Sequence, residues 1–239
     1  MPPTIEAYES LAIVTTLRAV SIVGGSRVQP VITAARMPEV VAERFACSVR
    51  TSDDGVLEDA PADAMGNCLY FAYGSNMSET QVVDRIGRPE AVWTGALLSY
   101  RLRFNKLARD DASAFANVEH VPGDDNTVAL GKVYRLSARQ LSDMDMYEGA
   151  PTHYSRRVLS VRVFDGPKDG PIVAASLSFD NIRNRGTLRK CVVYIANKEH
   201  TSPTDCPPSR RYLRKICSCG SALPKWYTTW LAERDTKDV

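Results

Sequence analysis

From residue 68 onward, apolar positions fall into short runs and two-residue alternations, each closed by Gly, Pro, Asn or Asp. Leu69-Tyr70-Phe71-Ala72-Tyr73 is a continuous apolar and aromatic run, the pattern of a buried strand. Gly74-Ser75-Asn76 follow at once, and then Ser78 with Gln81 three residues on. That spacing predicts a capping box opening a helix through about Arg85, which Gly87 and Pro89 end.

The segment AVWTGALLSYRLRFNK predicts a strand pair broken at Gly95, and AFANVEHVPGDDNTVALGKVYRL two strands joined by a Pro-Gly-Asp-Asp turn. SARQLSDMDMYEG repeats the helix grammar: Ser137 as N-cap, Gln140 at the box position, Leu141 and Met144 inward, Gly149 as the stop. In YSRRVLSVRVFD, Val158, Ser160 and Arg162 alternate with Leu159, Val161 and Val163, and RKCVVYIAN is a further strand. Pro224 to Arg234 reads as a helix with Trp226, Trp230 and Leu231 as its apolar stripe. Many strands, a few short helices and no regular strand–helix–strand alternation point to an α+β domain around a curved sheet or small barrel, not a doubly wound fold.

Residues 1–66 differ from this pattern. Leu11 to Pro38 carries no acid, with Arg18, Arg27 and Arg36 among Ser, Thr, Val and Ala, a composition resembling an organellar transit peptide; Glu6 and Glu9 oppose it. TSDDGVLEDAPADAMGN is an acidic, Pro- and Gly-punctuated linker, so 1–66 reads as a poorly ordered or targeting extension and 67–239 as the compact domain. Gly24-Gly25 lack the glycine spacing and lysine of a phosphate loop.

Composition narrows the function classes. With 44% hydrophobic and 24% charged residues the chain is an ordinary globular protein. A net charge of +2 gives no case for nucleic acid, and Arg210, Arg211, Arg214 and Lys215 read as a solvated face. Six cysteines are too sparse for a disulfide scaffold, and the Cys217/Cys219 pair has no second pair to complete a zinc set. His120, His153 and His200 lack helical metal spacing, so no metal is expected. Leu11 to Val23, interrupted by Arg18, is too short to span a bilayer, so no membrane partner is expected; the sparse thiols, read as reduced, fit a cytoplasmic location.

Two places could carry chemistry. At the junction after Tyr73, Gly74 lets the backbone approach a ligand, and the N–H groups opening the next helix favour a carboxylate or an oxyanion. The same Gly-Ser-Asn is equally ordinary turn chemistry. In MYEGAPTHY, Glu148 sits at a helix C-terminus between Tyr147 and Gly149. Burial and the dipole would raise its pKa as a general base needs; otherwise it is an exposed residue ending a helix. Asp143 and Asp145 could pair with it as acids or form the helix's solvated face. Ser75 is not in a serine-hydrolase elbow.

Taken together, Leu69-Tyr70-Phe71-Ala72-Tyr73-Gly74-Ser75-Asn76, Tyr147-Glu148-Gly149, Tyr154 and the closing segment PPSRRYLRKICSCGSALPKWY resemble the γ-glutamylcyclotransferase family over about 68–232. The resemblance implies a small mixed β-barrel flanked by short helices, with a pocket at its mouth. It implies a lyase or acyltransferase-type enzyme without metal or organic cofactor, acting on a small-molecule γ-glutamyl amino acid or peptide. The product is 5-oxoproline with a free amino acid, a reaction of glutathione metabolism, carried by a monomer or homodimer. By residue matching, Glu148 is the catalytic acid/base, and Tyr70, Phe71, Ala72, Tyr73, Gly74, Ser75, Asn76 and Tyr212 bind substrate. Tyr-Gly-Ser-Asn favours the branch acting on γ-glutamyl amino acids over the glutathione-specific and γ-glutamylamine branches. The long loop from Asp165 to Lys190 and the N-terminal extension depart from the family. The competing class is a catalytically silent module binding small acidic metabolites, against which the presence of Glu148 argues.

Overall fold

A computed structural model describes residues 61–109, 113–124, 126–164, 178–219 and 223–237. Most of the expected N-terminal extension (1–60), with its arginines and Gly24-Gly25, lies outside the described residues, as does 165–177 of the long loop. The chain forms β1 (Cys68–Ala72), a 3-10 turn (Ser75–Met77), α1 (Glu79–Ile86), β2 (Ala91–Leu98), β3 (Tyr100–Leu107), β4 (Ala114–His120) and β5 (Val128–Leu136). Then come α2 (Ala138–Glu148), β6 (Tyr154–Phe164), α3 (Phe179–Ile182), β7 (Thr187–Ala196), a 3-10 turn (Lys198–His200), α4 (Arg210–Ser218) and α5 (Lys225–Ala232).

Strands β1-β5-β2-β6-β7 close into a barrel, and β3-β4 form a separate two-stranded sheet. Closure is made where Tyr70 pairs with Val192, the parallel β1–β7 contact; the other barrel pairs are antiparallel. The α+β barrel expected from the sequence is the fold observed.

Both faces of the β1–β5–β7 wall are covered, which is why β1 reads as a continuous apolar run rather than an alternation. Phe71 joins Val133, Val161, Val193 and Leu97 in the main core, which extends to α4 and α5 through Leu213, Ile216, Tyr227 and Leu231. The alternate residues Cys68, Tyr70 and Ala72 pack with Val82 and Ile86 of α1 and Leu141 and Met144 of α2. That second cluster fixes the ends of α1 and α2 beside the end of β1.

Several expectations change in the folded chain. The strand pair expected to break at Gly95 breaks at Ser99, which has φ +60°, while Gly95 stays inside β2 opposite Gly131. A Cβ at Gly95 would lie 2.7 Å from Val133 Cγ2, so this glycine is needed for barrel packing rather than for a turn. The strands flanking the Pro-Gly-Asp-Asp turn do not pair with each other: β4 pairs with β3, and β5 with β1 and β2. The buried residues of α5 are Tyr227 and Leu231, whereas Trp226 is 39% exposed. Thr187 to Lys190 of the long loop already belong to β7. Ahead of β1, Asp63 accepts from the Met65 and Asn67 amides and pairs with Arg135.

Candidate active site

Gly131 shapes the start of the site. A Cβ there would stand 2.1 Å from the Ala72 carbonyl oxygen and 2.9 Å from the Phe71 ring. Its absence lets the chain leaving β1 cross close over β5. The path then reaches Gly74, where a Cβ would meet the Tyr212 hydroxyl at 3.0 Å and Ala116 Cβ at 3.2 Å. Asn76, next in line, is only 4% exposed.

A cavity of about 330 Å³, open mouth included, lies here. It is lined by Tyr70, Phe71, Tyr73, Gly74, Ser75, Asn76, Glu148 and Tyr212 of the expected set, joined by Ala116, Tyr154 and Tyr194. Ala72 is not a lining residue; it is buried in the barrel wall and packs in the α1/α2 cluster.

Glu148 reaches the cavity because α2 ends there. Ser137 and Gln140 make the full reciprocal capping box at one end, and Gly149 stops the helix at φ +63° at the other. Leu141 and Met144 face inward, which sets the rotation of the helix. The Glu148 Oε1 atom accepts from Asn76 Nδ2 at 2.6 Å across 72 residues of sequence.

Burial raises the Glu148 carboxyl from the usual carboxylate range to about 7; the Arg85 charge and the Asn76 bond oppose that rise, and Asp145 adds to it. Its place at a helix C-terminus acts in the same direction as burial. The exposed, helix-ending alternative for Glu148 is therefore not the arrangement found.

The remaining lining is phenolic. Tyr73 donates to the Tyr194 carbonyl at 2.5 Å and Tyr154 to the Ala116 carbonyl at 3.1 Å. The Tyr212 oxygen instead accepts from the Ala116 amide at 3.1 Å, with the Ser75 amide as a further donor to it. Its own proton is thereby left for another acceptor. Burial pushes the Tyr212 hydroxyl up to about 12 and those of Tyr70, Tyr73, Tyr154 and Tyr194 well above the ordinary phenol range. All five stay neutral near pH 7. Glu148 is the only charged side chain among the lining residues. The backbone N–H groups of Gly74 and Asn76 have no partner among the described residues.

Other candidates fall elsewhere. Asp145 is not a solvated residue: it pairs with Arg156, itself 5% exposed, and accepts from Tyr194 at 2.7 Å. Arg210, Arg211, Arg214 and Lys215 are exposed as expected. His153 and His200, distant in sequence, have ring centroids 4.4 Å apart. Among the described residues no group of three or more His, Cys, Asp or Glu could hold a metal, and no helix is long and apolar enough to cross a membrane.

Sequence reasoning passed over Ala116 and Tyr194 as lining residues, and Gln81 and Arg85 as neighbours of the site. Tyr194 lies on a strand apolar on both faces, so no alternation marks its orientation. Gln81 carried a signal, but it pointed to capping. Ser78 does accept from the Gln81 amide, yet the Gln81 side chain turns to Ser75 Oγ and Asn76 Oδ1 instead of closing the box.

A family model described as gamma-glutamyl cyclotransferase, AIG2-like matches residues 70–214. Among solved structures, one titled gamma-glutamyl cyclotransferase is similar at 21% identity and TM-score 0.56, covering 72% of this chain and 90% of that one. An uncharacterized human protein is similar at 20% identity and TM-score 0.55, covering 73% and 91%. A yeast γ-glutamyl cyclotransferase specific to glutathione is similar at 14% identity and TM-score 0.51, covering 70% and 95%. At these identities the likeness is one of fold. No curated protein matches the chain.

Proposed function

The chain belongs to the gamma-glutamyl cyclotransferase, AIG2-like family, and from that premise we propose that it converts γ-glutamyl amino acids or peptides into 5-oxoproline and a free amino acid. The observation that carries this reading is Glu148: a carboxylate inside a phenolic cavity, bonded to Asn76 at 2.6 Å and with its pKa raised to about 7. A general base for an amine at neutral pH requires that poise.

In this reading Glu148 takes a proton from the substrate's α-ammonium. The freed amine attacks the γ-carbonyl carbon of the same molecule, forming the ring C–N bond and a tetrahedral oxyanion. Protonated Glu148 then returns its proton to the leaving nitrogen as the original C–N bond breaks. The ring nitrogen gives its second proton back to the Glu148 carboxylate, which passes it to the freed amine. The lactam thus forms neutral, the amino acid leaves as its ammonium, and no oxidant is consumed. A cavity that holds the γ-glutamyl chain coiled supplies the proximity that makes five-membered closure fast, where effective molarities reach roughly 10⁵ M. The N–H groups of Gly74 and Asn76, without a partner among the described residues, and the Tyr212 hydroxyl proton are donors for the oxyanion or the substrate carboxylate, each such donor being worth about 3 kcal/mol in comparable sites. Tyr70, Phe71, Tyr73 and Ser75 bound the space around them.

Purified protein incubated with γ-glutamyl-alanine, glutathione and a γ-glutamylamine tests the proposal, with 5-oxoproline as the readout. Product from γ-glutamyl-alanine is expected, and Glu148→Gln is expected to fold but to release none. Absence of product from every γ-glutamyl compound would leave a silent binding module as the better account.

A further inference from the structure

The side-chain amide of Asn76 stands between a carboxylate and a cation. Its NH₂ donates to Glu148 Oε1 at 2.6 Å and to the Tyr70 hydroxyl at 2.9 Å. Its Oδ1 accepts from Arg85 Nη1 and from Gln81 Nε2, both at 2.8 Å. Two donors on the oxygen fix which way the amide faces, because the flipped form would set NH₂ against both donors and oxygen against the carboxylate.

Gln81 is held in turn. Its Oε1 accepts from Lys215 Nζ of α4 at 2.6 Å, and its Nε2 also reaches Ser75 Oγ at 3.0 Å. The diversion of this side chain from the capping box, where local hydrogen bonding would place it, shows that it answers to the site rather than to α1. Arg85 rests its guanidinium over the Tyr147 ring at 5.0 Å and makes no ion pair among the described residues. Its charge is directed through the amide.

We propose that Arg85 is a positioning residue for Glu148, acting through the Asn76 amide that Gln81 and Lys215 hold in register. The proposal rests on the reading of Glu148 as the acid/base. A cation on the amide oxygen polarises the amide and strengthens its N–H bond to the carboxylate. The same positive charge stabilises ionised Glu148 against burial, which by itself would leave the group protonated and unable to accept the substrate's proton. Arg85 thus keeps the base usable at neutral pH.

Among the described residues, the groups facing Glu148 leave Arg85 as the one countercharge. Tyr70, Tyr73, Tyr154 and Tyr212 are neutral through this range, and Asp145, on the same helix, carries the opposite effect while engaged with Arg156 and Tyr194. No other cation acts on the carboxylate among the described residues.

The test is a titration of the Glu148 carboxyl by ¹³C NMR in the free protein, its signal assigned by loss in Glu148→Gln. The pH profile of 5-oxoproline formation is read in parallel. Arg85→Met is expected to raise the midpoint by about one pH unit, the low end of the shift that loss of a nearby opposite charge produces. The ascending limb of kcat/KM should move up with it. Arg85→Gln, which keeps an N–H donor without the charge, should also raise the midpoint, and Arg85→Lys should restore at least half of the shift. A merely structural role would lower activity without moving the midpoint.

An unchanged midpoint in either folded neutral variant overturns the proposal, and if Arg85→Met fails to fold, Arg85→Gln and Arg85→Lys decide it. Should the midpoint move as expected while the parent protein makes no 5-oxoproline, the positioning of Glu148 by Arg85 stands and the cyclotransferase reading falls.

Discussion

Glu148 carries a cost that its position makes measurable. Burial raises its carboxyl to about 7 in the folded protein, against the ordinary carboxylate value near 4.5 expected once unfolded. The folded state therefore holds its proton more tightly, and between about pH 4.5 and 7 the unfolded chain binds fewer protons. Stability attributable to this group falls as pH rises through that window and is lowest above it. Glu148→Gln removes the ionisation, so the variant should be the more stable protein at pH 8 by on the order of 1–2 kcal/mol, a value discounted for partial exposure. The advantage should vanish near pH 4. Thermal melts of the two proteins at both pH values check this, and equal melting temperatures at pH 8 would contradict a desolvated Glu148. Asp145 and Gln81 show how far a residue's surroundings depart from its local pattern. One was legible as a surface acid and is tied to buried Arg156; the other was legible as a cap and holds Asn76.

At the scale of elements, the helices that bracket the site are specified locally. Ser137 as N-cap, Gln140 closing the box and Gly149 at φ +63° fix both ends of α2 within its own sequence. Ser137→Ala should cost about 1 kcal/mol by loss of the cap. Gly149→Ala should cost about 1–2 kcal/mol, since its conformation disfavours a Cβ and the new atom would lie 2.8 Å from His153 Cδ2. Because Glu148 precedes Gly149, the second substitution is expected to lower activity as well, while Ser137→Ala, eleven residues from Glu148, should spare it at temperatures where the protein stays folded. Urea melts and 5-oxoproline assays on the two variants separate these outcomes. Most strands are marked by their apolar pattern, but their partners are not. The Pro-Gly-Asp-Asp sequence at 122–125 reads as a hairpin turn, yet the strands flanking it enter different sheets.

For the whole molecule, barrel closure and site geometry meet at Gly131. Gly131→Ala would drive a methyl to 2.1 Å from the Ala72 carbonyl, a backbone atom that can move only by parting β1 from β5. A loss of about 3 kcal/mol is expected in urea unfolding. The shift would carry Tyr73 to Asn76 with it, so catalytic loss should exceed that of a comparably destabilising change far from the loop.

Beyond Tyr70 to Tyr73, which the family resemblance supplied, the sequence by itself determined most of the strands, the caps of α2, the mixed α+β class, and Glu148 and the 74–76 junction as candidates. Those properties are set by periodicity and by hydrogen bonds between residues a few positions apart. Tertiary structure alone decided which strands pair, that Gly95 lies within a strand, that Ala72 turns from the cavity while Ala116, Tyr154 and Tyr194 line it, and that Arg85 and Gln81 converge on Asn76. Each of these depends on chain segments brought together by barrel closure, as Asn76 and Glu148 are across 72 residues. No local pattern encodes such a meeting, because the buried surfaces that enforce it belong to strands and helices on opposite sides of the sequence.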